Sequence, residues 1–255
     1  MRIAMGVEFD GSGFSGWQIQ PQGGVRTVQG SIEQALEVVA DQAVRVHCAG
    51  RTDTGVHGLG QVIHFDSNAQ RSMYSWVFGT NANLPSDISI LWAHQVSEDF
   101  HARFSALRRR YRYVIFNRRV RPALAASHLS WEYRPLDERR MEQAAQRLLG
   151  EHDFSSFRAY ACQASHPLRT IYELSVERDG YRVIIDIEAN AFLHHMVRNI
   201  AGVLIAIGAG ERDVDWIDEV LAARDRQRGG VTAPPQGLTL VSVSYPEEFA
   251  LPAAC

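Results

Sequence analysis

The chain has 255 residues, a length that fits one large domain or two domains of moderate size. Hydrophobic residues make up 45% and charged residues 22%, so the chain is not disordered, and no apolar run reaches the ~20 residues of a membrane helix. The net charge of −3 taken alone argues against a nucleic-acid partner. Three cysteines, Cys48, Cys162 and Cys255, are too widely spaced for a disulfide framework or a zinc site. This spacing predicts reduced thiols in a cytoplasmic protein.

The first part of the chain alternates strands and helices around glycine-rich turns. Glu8 and Asp10 come too early for a signal peptide. Thr27 is expected to cap a helix that runs to about Ala40. The patterns predict strands over residues 2–9, 44–48, 61–65 and 88–96, and helices over 27–40 and 72–78.

Residues 49–58 form the most informative loop of the chain. They hold Arg51 and Asp53 among glycines and threonines, and they are expected to join two strands. A single aspartate beside an arginine is a candidate for chemistry that needs one ionised carboxylate. The alternative is a tight surface turn with a local Asp–Arg pair, since glycine, aspartate and threonine are ordinary turn residues.

The second part of the chain also mixes strands and helices. Asp137 is expected to cap a helix, and the polar segment 224–237 is predicted to be a mobile loop. Strands are predicted over residues 110–116, 174–178, 182–188 and 238–245, and helices over 137–149, 191–207 and 214–223. Without strict strand–helix–strand alternation, the order favours an α+β fold. We expect two similar α/β subdomains, residues 1–105 and 106–255, whose mainly antiparallel sheets merge into one central sheet flanked by helices.

Positive charge is concentrated in one window. All 26 basic residues are arginines, and no acidic residue occurs between Phe100 and Trp131. Arginines with aromatic residues between them supply phosphate contacts and base stacking, which favours a polyanionic partner. The alternative is a solvated basic edge strand. The arginines at the centre of the window are Arg108, Arg109, Arg110 and Arg112.

Arg198 lies in the apolar helix predicted over residues 191–207. A buried arginine needs a carboxylate or phosphate partner, for which Asp53 is the first candidate, unless its head group reaches the surface. His194 and His195 would point about 100° apart on a helix, which does not suit joint ligation of a metal. No metal site and no hydrolase motif is predicted.

Together these segments resemble the TruA family of tRNA pseudouridine synthases over nearly the whole chain. The resemblance depends on ordered motifs at residues 9–11, 16–18, 27–29, 49–57, 84–85, 109–113, 153–157, 169–171, 190–199 and 233–238. The most specific of them is the run Gly-Arg-Thr-Asp-x-Gly-Val-His. One departure is Pro234-Pro235, where many relatives have Pro-Ala, and no functional effect is expected from it.

The resemblance implies that the chain isomerises uridine to pseudouridine at positions 38, 39 and 40 of tRNA. It implies a homodimer that binds the anticodon stem-loop and elbow of tRNA, with no metal or organic cofactor. By position, Asp53 matches the catalytic aspartate, Tyr111 the tyrosine that packs on the target uracil, and Arg51 and Arg198 the active-site arginines. Arg108, Arg109, Arg110 and Arg112 are then expected to bind RNA. A catalytically silent tRNA-binding module on the same scaffold is the alternative, and a metal-dependent hydrolase is a third class.

Overall fold

A computed structural model describes residues 1–20, 23–160, 162 and 164–252. Across these residues the protein has a mixed α/β fold, in which ten strands form a large, mostly antiparallel sheet flanked by five α-helices. The predicted α+β class with a central sheet is therefore confirmed. None of the helices in these ranges has the length and apolar character needed to cross a membrane.

The chain forms two compact units. Unit 1 comprises Met1–Arg109 and the chain from Thr239 onward, and unit 2 comprises Arg110–Leu238. The last strand therefore belongs with the first half of the chain, which no local sequence pattern indicates. The predicted domains, 1–105 and 106–255, stay a prediction.

Unit 1 contains five of the strands and the first two helices. In its part of the sheet the order is β4-β1-β3-β10, with β2 beside β3. β1 is antiparallel to β3 and β4, whereas β10 runs parallel to β3. The elements are β1 (Arg2–Phe9), α1 (Val28–Ala40), β2 (His47–Cys48), β3 (His57–Asp66), α2 (Met73–Asn83), β4 (Ile88–Val96) and β10 (Leu238–Ser244).

The two helices of unit 1 cover one face of its strands. As predicted, the hydroxyl of Thr27 caps α1 by accepting a hydrogen bond from the amide of Gly30 at 3.2 Å. Ile32 and Leu36 of α1 are buried, as their spacing predicts, and Trp76 of α2 is buried beside them. This packing fixes the strands that carry the Asp53 loop.

Unit 2 contains the other strands and three helices. β8 and β9, which include the strands predicted over 174–178 and 182–188, form a hairpin that turns at Asp179 and Gly180, and β7 continues the sheet beyond β8. Asp137 caps α3, as predicted, by accepting from the amides of Arg139 and Arg140. Strand β5 (Arg108–Asn117) has its first two residues in unit 1 and the rest in unit 2. The other elements are β6 (Ser130–Glu132), α3 (Glu138–Ala145), β7 (Gly150–Asp153), β8 (Leu168–Asp179), β9 (Arg182–Ala189), α4 (Met196–Gly208) and α5 (Trp216–Ala223).

Several predicted boundaries are wrong, and long-range contacts explain two of them. Helix α2 extends to Asn83, because the side chain of Asn81 exchanges two hydrogen bonds with the backbone of Ile90, at 2.7 and 2.9 Å. The helix predicted over 191–207 begins only at Met196, because the side chain of Asn190 accepts from the amide of Ala191 and turns the chain first. The segment 224–237, predicted as a loop, contains two short 3-10 turns.

Candidate active site

The Asp53 loop joins β2 to β3, two antiparallel strands, as the sequence predicts. The amide of Val56 donates to the carbonyl oxygen of Asp53 at 3.1 Å, which closes the turn. The Asp53 side chain is half-buried, and Arg51 is exposed in the same loop. Thr52 between them is buried, and within the described chain its hydroxyl has no hydrogen-bond partner. The loop thus holds one carboxylate on a fixed turn with an arginine two residues away.

The entry of the loop is clamped by two buried side chains. The amide of Gln61 donates to the carbonyl oxygen of Gly50 at 2.6 Å, and the Gln61 carbonyl oxygen accepts from the Gly50 amide at 3.3 Å. The Arg109 guanidinium donates to the carbonyl oxygen of Ala49 at 3.2 Å. No local pattern predicts this clamp, since Gln61 and Arg109 lie 11 and 60 residues along the chain from the carbonyl groups to which they donate.

The glycine-rich turn at residues 10–17 braces the same loop from a second side. The amide of Trp17 donates to the carbonyl oxygen of Thr52 at 3.0 Å. Gly16 has a φ of +88°, and a Cβ built on it would lie 3.0 Å from that same oxygen. A Cβ on Gly11 would lie 1.9 Å from the carbonyl oxygen of Val56. These glycines are required for close backbone packing against the Asp53 loop.

Cys48 lies at the end of β2, directly before the Asp53 loop. Burial raises the pKa of the Cys48 thiol to about 12, an effect that the positive charge of Arg51 opposes only in part. The thiol is therefore neutral at physiological pH and a poor nucleophile. Cys162 is also a free thiol, and Cys255 lies outside the described residues.

Tyr111 lies on β5 in unit 2 with its side chain turned inward. Alternation along the strand buries Tyr111, Tyr113 and Ile115, as the sequence predicts. The ring of Tyr111 makes an edge-to-face contact with Phe192, with 5.1 Å between the ring centroids. This contact orients the ring and leaves Tyr111 8% exposed.

Arg198 lies on the first turns of α4 and is half-buried. Its Nε donates to the carbonyl oxygen of Ala233 at 2.8 Å, and the amide of Ala233 donates to the carbonyl oxygen of Arg198 at 3.1 Å. The side chain is thus held by the segment that precedes β10. The predicted pairing of Arg198 with Asp53 stays a prediction.

His194 and His195 do not lie within a helix, so that expectation was wrong. His195 is the residue before α4 and has a left-handed φ of +63°, so the helical geometry begins only at Met196. The two imidazole rings lie side by side, with 4.0 Å between their centroids. The angle of about 100° expected on a helix therefore does not describe them.

The arginines predicted to bind RNA have different surroundings. Arg108 is exposed, and Arg110 pairs with Glu173 across 3.1 Å. Arg112 donates to Asp186 through two nitrogens, at 3.0 and 2.9 Å, and these hydrogen bonds raise the pKa of the guanidinium. Arg109 is buried and also donates to the carbonyl oxygens of Arg103 and Ala106, a position that does not fit an RNA contact.

Comparison with known proteins adds a family assignment to this geometry. A family model described as tRNA pseudouridine synthase matches residues 5–105 and 144–246. A protein of Coxiella burnetii (strain Dugway 5J108-111), named tRNA pseudouridine synthase A, is 57% identical over 98% of this chain and 95% of its own length. A protein of Nitrosococcus oceani with the same name is 59% identical over 99% of this chain and 96% of its own length.

The solved structures give a weaker likeness. A chain in the crystal structure of a Cbf5-Nop10-Gar1 complex is 11% identical, with coverage of 93% of this chain and 57% of that chain. Its TM-score is 0.37.

Proposed function

The chain belongs to the tRNA pseudouridine synthase family, and on that premise we propose that it isomerises uridine to pseudouridine at positions 38, 39 and 40 of the tRNA anticodon stem-loop. One observation carries the proposal. The most specific motif of the chain forms a turn that is hydrogen-bonded from two sides and that presents a single carboxylate, Asp53.

The reaction demands little beyond that carboxylate. The N1–C1′ glycosidic bond breaks, the uracil turns, and a C5–C1′ bond forms, while the proton on C5 is released to solvent and one is taken up at N1. Asp53 acts either as a nucleophile or as the base that removes a sugar proton. No atom is supplied by a cosubstrate, so we propose no metal or organic cofactor for this chemistry.

Three other side chains are assigned to the reaction by their matching positions. Arg51, two residues from Asp53, and Arg198 are assigned as the arginines of the active site. The Tyr111 ring stacks on the detached uracil and keeps it from leaving, a contact worth ~1–3 kcal/mol for one base. The target base must first leave its stack, at a cost of a few kcal/mol.

Contacts with tRNA phosphates offset the cost of moving the target base out of its stack. We assign them to Arg108, Arg110 and Arg112, whose side chains are exposed or partly exposed. The buried Arg109 is assigned to holding the Asp53 loop through Ala49. We also propose that the enzyme acts in the cytoplasm as a homodimer that contacts the anticodon stem-loop and elbow of one tRNA.

The test uses unmodified tRNA transcribed with tritium at C5 of uridine. The wild-type protein should release tritium, and sequencing should locate pseudouridine at positions 38, 39 and 40 only. Binding of the transcript without tritium release would favour the silent RNA-binding module instead. Activity that is lost on addition of a chelator would favour the metal-dependent alternative.

A further inference from the structure

Unit 2 contains a cavity of about 400 Å³ beside the start of α4. Its polar lining comes from Tyr160, His195, Arg226, Gln227 and Thr232, and the described residues that line it include no carboxylate. A cavity whose permanent charge is an arginine is suited to an anion.

Arg226 is held in this cavity by neutral groups. One terminal nitrogen of its guanidinium donates to the side-chain oxygen of Asn199 at 3.0 Å and to the hydroxyl of Thr232 at 2.8 Å. Thr232 itself donates to Asn199 at 2.7 Å, and the Asn199 amide donates to the carbonyl oxygen of Phe157 at 2.7 Å. Asn199 is 1% exposed, so the base of the network is a buried, fully engaged amide.

The network orients the positive charge without neutralising it. Among the described residues no carboxylate pairs with Arg226, whereas Arg112 pairs with one carboxylate and Arg134 and Arg147 pair with two each. A partly buried guanidinium normally gains a charged partner, because neutral hydrogen bonds compensate its lost hydration only in part. The remaining guanidinium N–H groups can therefore serve a bound anion.

The position of the cavity connects it with Arg198. Thr232, which orients Arg226, is followed directly by Ala233, whose carbonyl oxygen holds Arg198. The two arginines are thus fixed by adjacent residues of one segment. Tyr160, which also lines the cavity, is 77% exposed and offers a ring face at its rim.

We propose that this cavity binds one phosphate group of the tRNA backbone, with Arg226 as the residue that contacts it. The inference deepens the proposed function and rests on it, because tRNA is the polyanion that this function supplies. A planar guanidinium forms two parallel hydrogen bonds with a phosphate, and the exposed Tyr160 ring then lies where the adjoining nucleotide passes.

The first test adds a negative charge at the rim without disturbing the network. Gln227 is exposed and lines the cavity, so Gln227→Glu should weaken binding of an unmodified tRNA transcript about tenfold. Gln143→Glu, the same change on an exposed position of α3, is the matched control and should stay within about twofold of wild type. Equal affinities for the two variants would overturn the proposal.

The second test removes the cation itself. Arg226→Gln should lower the slope of log affinity against log salt concentration by about 1, the value for one lost phosphate contact. Arg226→Lys should restore part of the slope, and Arg147→Gln, which removes a charge already paired with Asp215, should leave it unchanged. Thermal melts of each variant exclude misfolding, and an unchanged slope in folded Arg226→Gln would overturn the proposal.

The outcome for the cavity is separable from that for the enzyme. Wild-type protein that forms pseudouridine, together with cavity variants that bind like their controls, would leave the enzyme assignment intact and remove the phosphate site. Wild-type protein that binds tRNA without forming pseudouridine would remove the enzyme assignment, and the Gln227→Glu comparison would still decide the cavity.

Discussion

Arg198 and Ala233 exchange two hydrogen bonds, one from the Arg198 Nε and one from the Ala233 amide, at 2.8 and 3.1 Å. The guanidinium is therefore anchored to the backbone of a neighbouring segment rather than only extended from its helix. An anchored arginine presents its charge in a fixed direction, which is what stabilisation of a transition state requires. Electrostatic attraction of RNA alone does not require such an anchor.

Arg198→Met is expected to lower the turnover rate on the order of 100-fold while tRNA affinity changes little, because removal of one oriented donor costs about that much. Single-turnover tritium release and filter binding measure the two quantities. Arg198→Lys keeps the charge without the planar anchor and should recover only part of the rate. A changed salt dependence of binding with an unchanged rate would make Arg198 a phosphate contact instead.

Gly16→Ala is expected to destabilise the protein and lower its activity. The substitution forces a left-handed alanine, at ~1–2 kcal/mol, and places its Cβ 3.0 Å from the carbonyl oxygen of Thr52. Gly210→Ala is the control, since Gly210 has a φ of +76° and open space around it. Urea unfolding should give Gly16→Ala the larger loss, and only this variant should release tritium more slowly. Equal losses would mean that the contact with the Asp53 loop has no effect.

Tyr111→Ala and Tyr111→Phe should separate stacking from the hydroxyl group. Loss of the ring should slow single-turnover pseudouridine formation by about 10-fold or more, the equivalent of ~1–3 kcal/mol of stacking. Phenylalanine keeps the ring and its edge-to-face contact with Phe192, so it should retain most of the rate. A phenylalanine variant as slow as the alanine variant would assign the effect to the hydroxyl.

Acid should destabilise unit 1 through His64. Burial, together with the neighbouring His101 and His47, lowers the pKa of His64 to about 3. The unfolded chain has the ordinary value of ~6.5, so it binds more protons between these limits. The contribution of neutral His64 to the free energy of unfolding is thus fully present above pH 6.5. It is lost as the pH falls toward 3, by up to ~1.4 kcal/mol per pH unit.

Urea unfolding at pH 7 and pH 5 checks this dependence. His64→Gln should lose clearly less stability between these pH values than wild type, although His101, whose pKa burial also lowers, leaves a remainder. His94→Gln, at a partly exposed position of β4, should lose as much as wild type. The same loss in all three proteins would exclude His64 as the source.

Local signals predicted much of the fold. The helix caps at Thr27 and Asp137 could be predicted because the side-chain oxygen accepts hydrogen bonds from backbone amides only two or three residues away. The turn at Asp179 and Gly180 is equally local. In contrast, the late start of α4 depends on Asn190 bonded also to Thr170, and no window of sequence around the helix contains that contact.

The candidate site also combines features that the local sequence predicts with features that depend on long-range contacts. The specific motif is enough to make Asp53 the candidate catalytic residue, and that assignment stays a prediction. The hydrogen bonds that Gln61 and Trp17 make to its loop depend on strands and turns brought together by the fold. The charge window places Arg109 with the exposed arginines because it does not separate inward from outward positions. The period of two along β5 would have done so, since it puts Arg109 on the buried face of Tyr111. Arg226 lay in a segment whose polar composition predicted only a loop.

Asp53→Asn removes the charge of the carboxylate and keeps its size, so it isolates what that charge contributes to catalysis. The measurement is tritium release from C5-labelled tRNA together with the dissociation constant for the same tRNA. We expect release to fall to background while the dissociation constant changes by less than about threefold. Release at the wild-type rate from the folded Asp53→Asn protein would contradict the assignment of Asp53 as the catalytic group.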